Sequence, residues 1–174
     1  MDELYSLFPD YARDLKLNLQ NVLKQAELKP QQTWGTAVAS ALASRNPKIT
    51  VAVVKEAAGH LTPEALNAAK AAAAVMGMNN IYYRFQHLSG NEEYARIPAR
   101  LRMQAIRSHG SDPVDFELWC TAVSAIHGCG VCVSSHEKVL REKGVTAEAI
   151  VAAIRIASVI HGAAGVLDAE AALA

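Results

Sequence analysis

Residues 127–136 read HGCGVCVSSH and bring two cysteines and two histidines within ten positions. Cys129 and Cys132 have Cys-x-x-Cys spacing. When such a pair opens a helix, its sulfurs lie one turn apart and can close a short disulfide. The free N–H groups and dipole of a first turn favour thiolate over thiol, and thiolate is the nucleophilic form. His136 follows Cys132 by four residues and therefore shares its helix face. An imidazole there takes the thiol proton and, once charged, stabilises the thiolate. Glu117 lies on the preceding helix. A tight reversal over Gly128–Gly130 would return it to the cluster, where a carboxylate orients His136 or relays protons.

Three readings compete for these residues. In a redox dithiol, peroxide turns Cys132, one turn inside and beside His136, into a sulfenic acid. Cys129 then condenses with it and releases water. An external dithiol reopens the bridge, with Cys129 expected to be the more exposed sulfur because it stands at the reversal. The spacing leaves the order of attack open. In a zinc-stabilised helical interaction module, Cys129, Cys132 and His136 are ligands, with Glu117 or His127 as the fourth. Structural zinc sites usually draw a second ligand pair from another loop, and the chain has no second CxxC or HxxxH. The bland reading is two buried, inert cysteines. The dithiol is preferred.

The elements that must position this cluster read as helices, which makes the chain all-α. Thr62 caps a helix that starts at Pro63 and carries an alanine-rich middle through residue 88. Asp112 and Pro113 start another, which stops near Gly128. The next begins around Cys129–Cys132 and ends at Gly144. Thr146 caps the last helix, whose later course is left unset by Gly162 and Gly165. Residues 88–112 read as irregular.

The chain also aligns with itself. TWGTAVASALASRNP at 33–47 matches LWCTAVSAIHGCGVC at 118–132 at a constant offset of 85. Trp34, Thr36, Ala37 and Val38 fall on Trp119, Thr121, Ala122 and Val123. One domain spanning 1–174 is expected, with repeat halves at about 31–87 and 115–172. Under this register Cys129 pairs with Ser44, Cys132 with Pro47, His136 with Val51 and Glu117 with Gln32. The apolar skeleton is shared, and the reactive groups occur in the second copy alone. Packing by itself therefore does not call for them.

Whole-chain properties narrow the classes further. Of 174 residues, 51% are hydrophobic and 20% charged, with 17 basic and 17 acidic residues. This is a globular composition, and no basic stripe points to nucleic acid. The start MDELYSLFPDYARDLKLNL lacks an apolar run before a small-residue cleavage site. No window reads as a membrane span, since Lys70 interrupts one apolar stretch and Arg155 the other. The expected compartment is the cytoplasm, where a close cysteine pair more often serves chemistry than a structural scaffold.

Glu117, eleven residues, Cys129-x-x-Cys132, three residues, His136: this pattern resembles the alkylhydroperoxidase AhpD family, within the wider carboxymuconolactone-decarboxylase-like group. AVMGMNN with the following YYR, and FELW before the motif, extend the resemblance over nearly the full length. It implies an all-helical, internally duplicated fold and a homotrimer. It implies reduction of organic and hydrogen peroxides and electron transfer to an AhpC-type peroxiredoxin partner. No cofactor is expected to be bound. The implied reductant is dihydrolipoamide carried on a lipoylated 2-oxoacid dehydrogenase acyltransferase, recharged by dihydrolipoamide dehydrogenase and NADH. Cys132 then corresponds to the peroxidatic cysteine, Cys129 to the resolving one, and His136 and Glu117 to the proton relay. Some members carry a histidine just before the second cysteine; here Val131 stands there. The wider group leaves a decarboxylase-like activity as a further alternative.

The remaining candidates read as structural. Cys120 is expected to be a small buried residue, and His127 a helix-end residue bonding a last carbonyl. His161 reads as a core or interface histidine, and Trp34 and Trp119 as packing. Met76–Met78, Tyr82 and Tyr83 read as packing between helices or subunits, with a peroxide pocket as the lesser alternative.

Overall fold

The computed structural model describes residues 1–174 as nine α-helices without a strand, so the chain is all-α. They are α1 Asp2–Tyr5, α2 Arg13–Asn21, α3 Pro30–Ser44, α4 Pro47–Ala57, α5 Pro63–Ser89, α6 Glu92–Arg96, α7 Pro113–Ile126, α8 Gly130–Glu142 and α9 Ala147–Leu173. The caps lie where the sequence puts them. Thr62 accepts from the Ala65 amide at 3.2 Å and Thr146 from the Ala149 amide at 3.2 Å. Asp112 accepts from the amides of Val114 and Asp115, at 2.8 and 3.1 Å. Each satisfies donors that the first turn leaves free.

α3 and α7 form the centre. α3 is buried nearly all round by Thr33, Gly35–Ala41 and Ala43, and α7 buries Asp115, Phe116 and the run Leu118–Ser124. A helix covered on every face must have neighbours on every face. α3 packs on α4, α5, α7 and α9, and α7 on α3, α5, α8 and α9. Small side chains let these axes approach. At Gly35 an added Cβ would fall 2.2 Å from Trp119 Cε2, so the fully buried indole occupies the space a side chain would need. Trp34 packs differently from Trp119: it is half-buried and stacks on His60 with ring centroids 4.4 Å apart. Asp115 is buried at this contact and accepts from Gln31 Nε2 at 2.7 Å and Gln32 Nε2 at 2.9 Å.

Two expectations about α9 need correcting. It runs unbroken through Gly162 and Gly165 to Leu173, and by length and composition it is apolar enough to cross a membrane despite Arg155. A single arginine in so long an apolar helix does not remove that property. In this fold α9 lies against α3, α7 and α2, and 44% of its apolar stretch is buried inside the chain. His161 on α9 is exposed in the single chain, which removes the core half of its core-or-interface reading, and its Nδ1 lies 3.2 Å from Ser44 Oγ. Residues 90–112 are largely irregular, interrupted by α6 and a 3₁₀ turn at Gln104–Ile106.

Gly35→Ala is expected to lower the unfolding free energy by about 1–3 kcal/mol through overpacking against Trp119. Gly77 provides the contrast, because a methyl group added there would meet nothing within 4 Å. Gly77→Ala should be neutral or stabilising by about 0.5–1 kcal/mol, because alanine is the better helix former. Urea unfolding of both variants checks the pair.

Candidate active site

The site begins with the way α7 stops. His127 caps its C-terminus, and Gly128 follows with φ +66°, a left-handed conformation open to glycine. The Gly128 amide bonds the Ala125 carbonyl and the Cys129 amide bonds the Ser124 carbonyl. This is a Schellman ending, which satisfies the last carbonyls of α7 while turning the chain back. Cys129 then becomes the N-cap of α8, and Cys132 sits in its first turn.

Cys129 and Cys132 are joined as a disulfide, with Cα atoms 5.3 Å apart. Cys129 is fully buried and Cys132 is 7% exposed. The expectation that Cys129 would be the more accessible sulfur is therefore reversed. The Schellman turn tucks the cap residue under the end of α7, and Cys132 is buried slightly less completely. His136, one turn further along α8, places Nδ1 2.6 Å from Glu117 Oε2. Both side chains are mostly buried, at 14% and 21% exposure. Glu117 thus reaches the cluster from the middle of α7. With the carboxylate accepting from Nδ1–H, the neutral ring carries its lone pair at Nε2.

Nε2 of His136 faces Met76 Sδ on α5 at 3.3 Å. Met76 reads from sequence as packing; nothing in its local pattern marks it as an imidazole contact. Asn80, fully buried one turn later, donates from Nδ2 to Ser124 Oγ at 2.9 Å, and its Oδ1 lies 3.0 Å from His127 Nδ1. Arg84, a further turn along, donates to the His127 carbonyl. His127 therefore turns its ring to α5 instead of to a carbonyl of its own helix. Tyr83 donates to Met103 Sδ at 3.8 Å and stands edge-on to Tyr82.

Burial pushes His127 below the usual histidine range, and the charges of Arg45, Arg84 and His161 act in the same direction. The Ala43 carbonyl opposes this, but Nε2 makes no well-formed hydrogen bond. His109 stacks on Phe116 with ring centroids 4.1 Å apart. Its pKa is also lowered by burial, against opposing attraction from Glu117 and Asp112. Burial pushes the Cys120 thiol well up, so it stays protonated as a small core residue. No group of three His, Cys, Asp or Glu side chains is arranged to hold a metal ion, and the two cysteines of the zinc reading are bonded to each other.

A helical scaffold that sets a cysteine pair beside a carboxylate–imidazole pair defines a class, and the comparisons agree with it. Residues 92–174 match the Carboxymuconolactone decarboxylase family. Over 98% of its length the chain is 66% identical to an alkyl hydroperoxide reductase AhpD of Solibacter usitatus, covering 97% of that protein. It is 59% identical to an AhpD of Acidobacterium capsulatum over 98% of this chain and 93% of that one. A third AhpD, from Rhodospirillum centenum, is 56% identical over 99% and 93% of the respective chains. The chain belongs to the AhpD family.

The Gly128 turn and the two low-pKa histidines generate expectations for stability. At Gly128 an added Cβ meets nothing within 4 Å, so Gly128→Ala isolates the backbone penalty. A loss of about 1–2 kcal/mol is expected in urea unfolding. His109 and His127 both titrate lower when folded than their ordinary value of 6.5. Below that value the unfolded chain binds protons that the folded chain refuses. Their contribution is therefore intact above about pH 6.5 and is lost as pH falls toward the folded values. The urea midpoint should drop between about pH 7.5 and pH 5.5, and His109→Gln or His127→Gln should each shrink that drop.

Proposed function

We propose that the chain is a dithiol peroxidase that reduces alkyl and hydrogen peroxides and regenerates an AhpC-type peroxiredoxin. The observation that carries this reading is the Cys129–Cys132 pair at the start of α8, one turn from a His136 held by Glu117 at 2.6 Å. The name borne by the similar proteins, alkyl hydroperoxide reductase, supports a peroxide substrate.

In the oxidative half, Cys132 is the peroxidatic nucleophile, by its correspondence to the family's peroxidatic cysteine and its place one turn before His136 on α8. Its thiolate attacks the near oxygen of the peroxide. The O–O bond breaks, Cys132 becomes a sulfenic acid, and the alkoxide takes a proton to leave as alcohol. His136 accepts the thiol proton at the ring nitrogen now against Met76 and returns it to the leaving oxygen. Glu117 keeps the tautomer and balances the imidazolium. Cys129 resolves the sulfenic acid, forming the bridge and releasing water. Two thiols and one peroxide thus give one disulfide, one alcohol and one water.

In the reductive half, the reductant is protein-bound dihydrolipoamide on a 2-oxoacid dehydrogenase acyltransferase, recharged through dihydrolipoamide dehydrogenase and NADH. Its first thiolate attacks Cys132, the less deeply buried residue of the pair, and Cys129 leaves as thiolate. The second lipoyl thiolate closes the lipoyl disulfide and releases Cys132. A homotrimer in the cytoplasm with no resident cofactor, as the family resemblance implies, completes the reading. Val131 stands between the cysteines, so the relay proposed here uses no histidine at that position.

NADH consumption should follow peroxide when the chain, lipoylated acyltransferase and dihydrolipoamide dehydrogenase are combined. Cys132→Ser should abolish it. Cys129→Ser should consume a single equivalent of peroxide and leave a sulfenic acid mapped to Cys132 by mass. Glu117→Gln and His136→Gln should each slow turnover by about a hundredfold. Undiminished turnover in Cys132→Ser would reject the proposal. Turnover of a lactone acid that survives replacement of both cysteines by serine would instead favour the decarboxylase-like alternative, which the family match over 92–174 motivates.

A further inference from the structure

We propose that one face of α5, carrying Met76, Asn80 and Arg84, is the positioning element of the dithiol, and that it sets how strongly the Cys129–Cys132 bridge resists reduction. This inference rests on the redox reading above. The three residues are spaced four apart and so line one side of the helix. Each grips a different point around the cysteine pair. Met76 Sδ lies against His136 Nε2. Asn80 ties together Ser124 and the His127 ring, and Arg84 holds the His127 carbonyl. Gly128 alone separates His127 from Cys129.

Asn80 is the informative member. A fully buried carboxamide is costly unless its ends are bonded, and here both are, each to the last two turns of α7. Its Nδ2 also points toward Met76 Sδ at 3.9 Å, so the grip is continuous from His136 to His127. Arg84 has no carboxylate partner among the ion pairs of the chain; its guanidinium is spent on a backbone carbonyl at the reversal.

The consequence follows from how an intramolecular disulfide competes with an external dithiol. The equilibrium scales with the effective concentration of one sulfur at the other in the reduced protein. Holding His127 limits where Cys129 can go once the bridge opens, and keeps it close to Cys132. Releasing His127 widens that range, lowers the effective concentration and makes the bridge easier to reduce.

The test uses the full chain. Asn80→Leu removes both side-chain bonds, Arg84→Met keeps the apolar stem and loses the donor, and Arg84→Lys keeps a donor. Each is equilibrated with stated ratios of reduced and oxidised lipoamide, and free thiols are counted, with thermal unfolding run alongside. The constant for bridge formation should fall about three- to tenfold in Asn80→Leu and Arg84→Met, reflecting lost effective concentration, and stay near the wild-type value in Arg84→Lys. Should Asn80→Leu fail to fold, the two Arg84 variants decide. An unchanged or larger constant in folded Arg84→Met overturns the clamp while leaving the redox reading intact. A wild-type pair that stays closed at every lipoamide ratio sinks both.

Discussion

The left-handed turn at Gly128 is the constraint on which the site depends. Glu117 and His136 are 19 residues apart in sequence, on different helices, yet meet at 2.6 Å. That meeting requires α8 to fold back along α7 immediately after it ends, with no loop length to spare. The Schellman pair of hydrogen bonds at Gly128 and Cys129 makes this reversal while leaving few carbonyls unpaired. It also sets how deeply each cysteine is buried. As N-cap, Cys129 is fully buried by the turn it completes, and Cys132 is buried to all but 7%.

The helices that present this turn are held by close approach more than by bulk. The buried residues of α3 are alanine, glycine, serine and threonine apart from Val38, and the Trp119 indole of α7 rests where Gly35 has no Cβ. Burying small residues yields less hydrophobic stabilisation per residue than burying leucine, but it lets many dispersion contacts form along the axes. The polar contact of Asp115 with Gln31 and Gln32 fixes how α7 slides along α3. Position along α7 in turn sets the height at which Glu117 meets α8.

The sequence offset of 85 relates residues of α3 and α4 to residues of α7 and α8. Thr36 Oγ1 donates to the Gln32 carbonyl at 2.7 Å, and Thr121 Oγ1 donates to the Glu117 carbonyl at 2.8 Å, two bonds related by the sequence offset. The side chains at the aligned positions diverge. Gln32 is turned to Asp115, Pro47 opens α4 where Cys132 stands in the first turn of α8, and Val51 is 67% exposed where His136 is mostly buried. The reactive cluster thus has no counterpart at the offset positions.

What the sequence by itself determined was local: the all-α class, the caps at Thr62, Asp112 and Thr146, the stop at Gly128, and the spacing that puts Cys129, Cys132 and His136 on adjacent turns. Each rests on interactions within one or two helical turns, where residue type and spacing are sufficient. Only the tertiary structure decided that Cys129 is buried more deeply than Cys132, that α9 is packed against the core despite its membrane-like composition, that His127 turns toward α5, and that Met76 meets His136 while Asn80 and Arg84 meet His127. Those four outcomes depend on how helices from distant parts of the chain cross. Residues 76–84 reach the cluster at 124–136 because α5 packs beside α7 and α8. No periodicity along a single helix encodes which neighbour its face will meet.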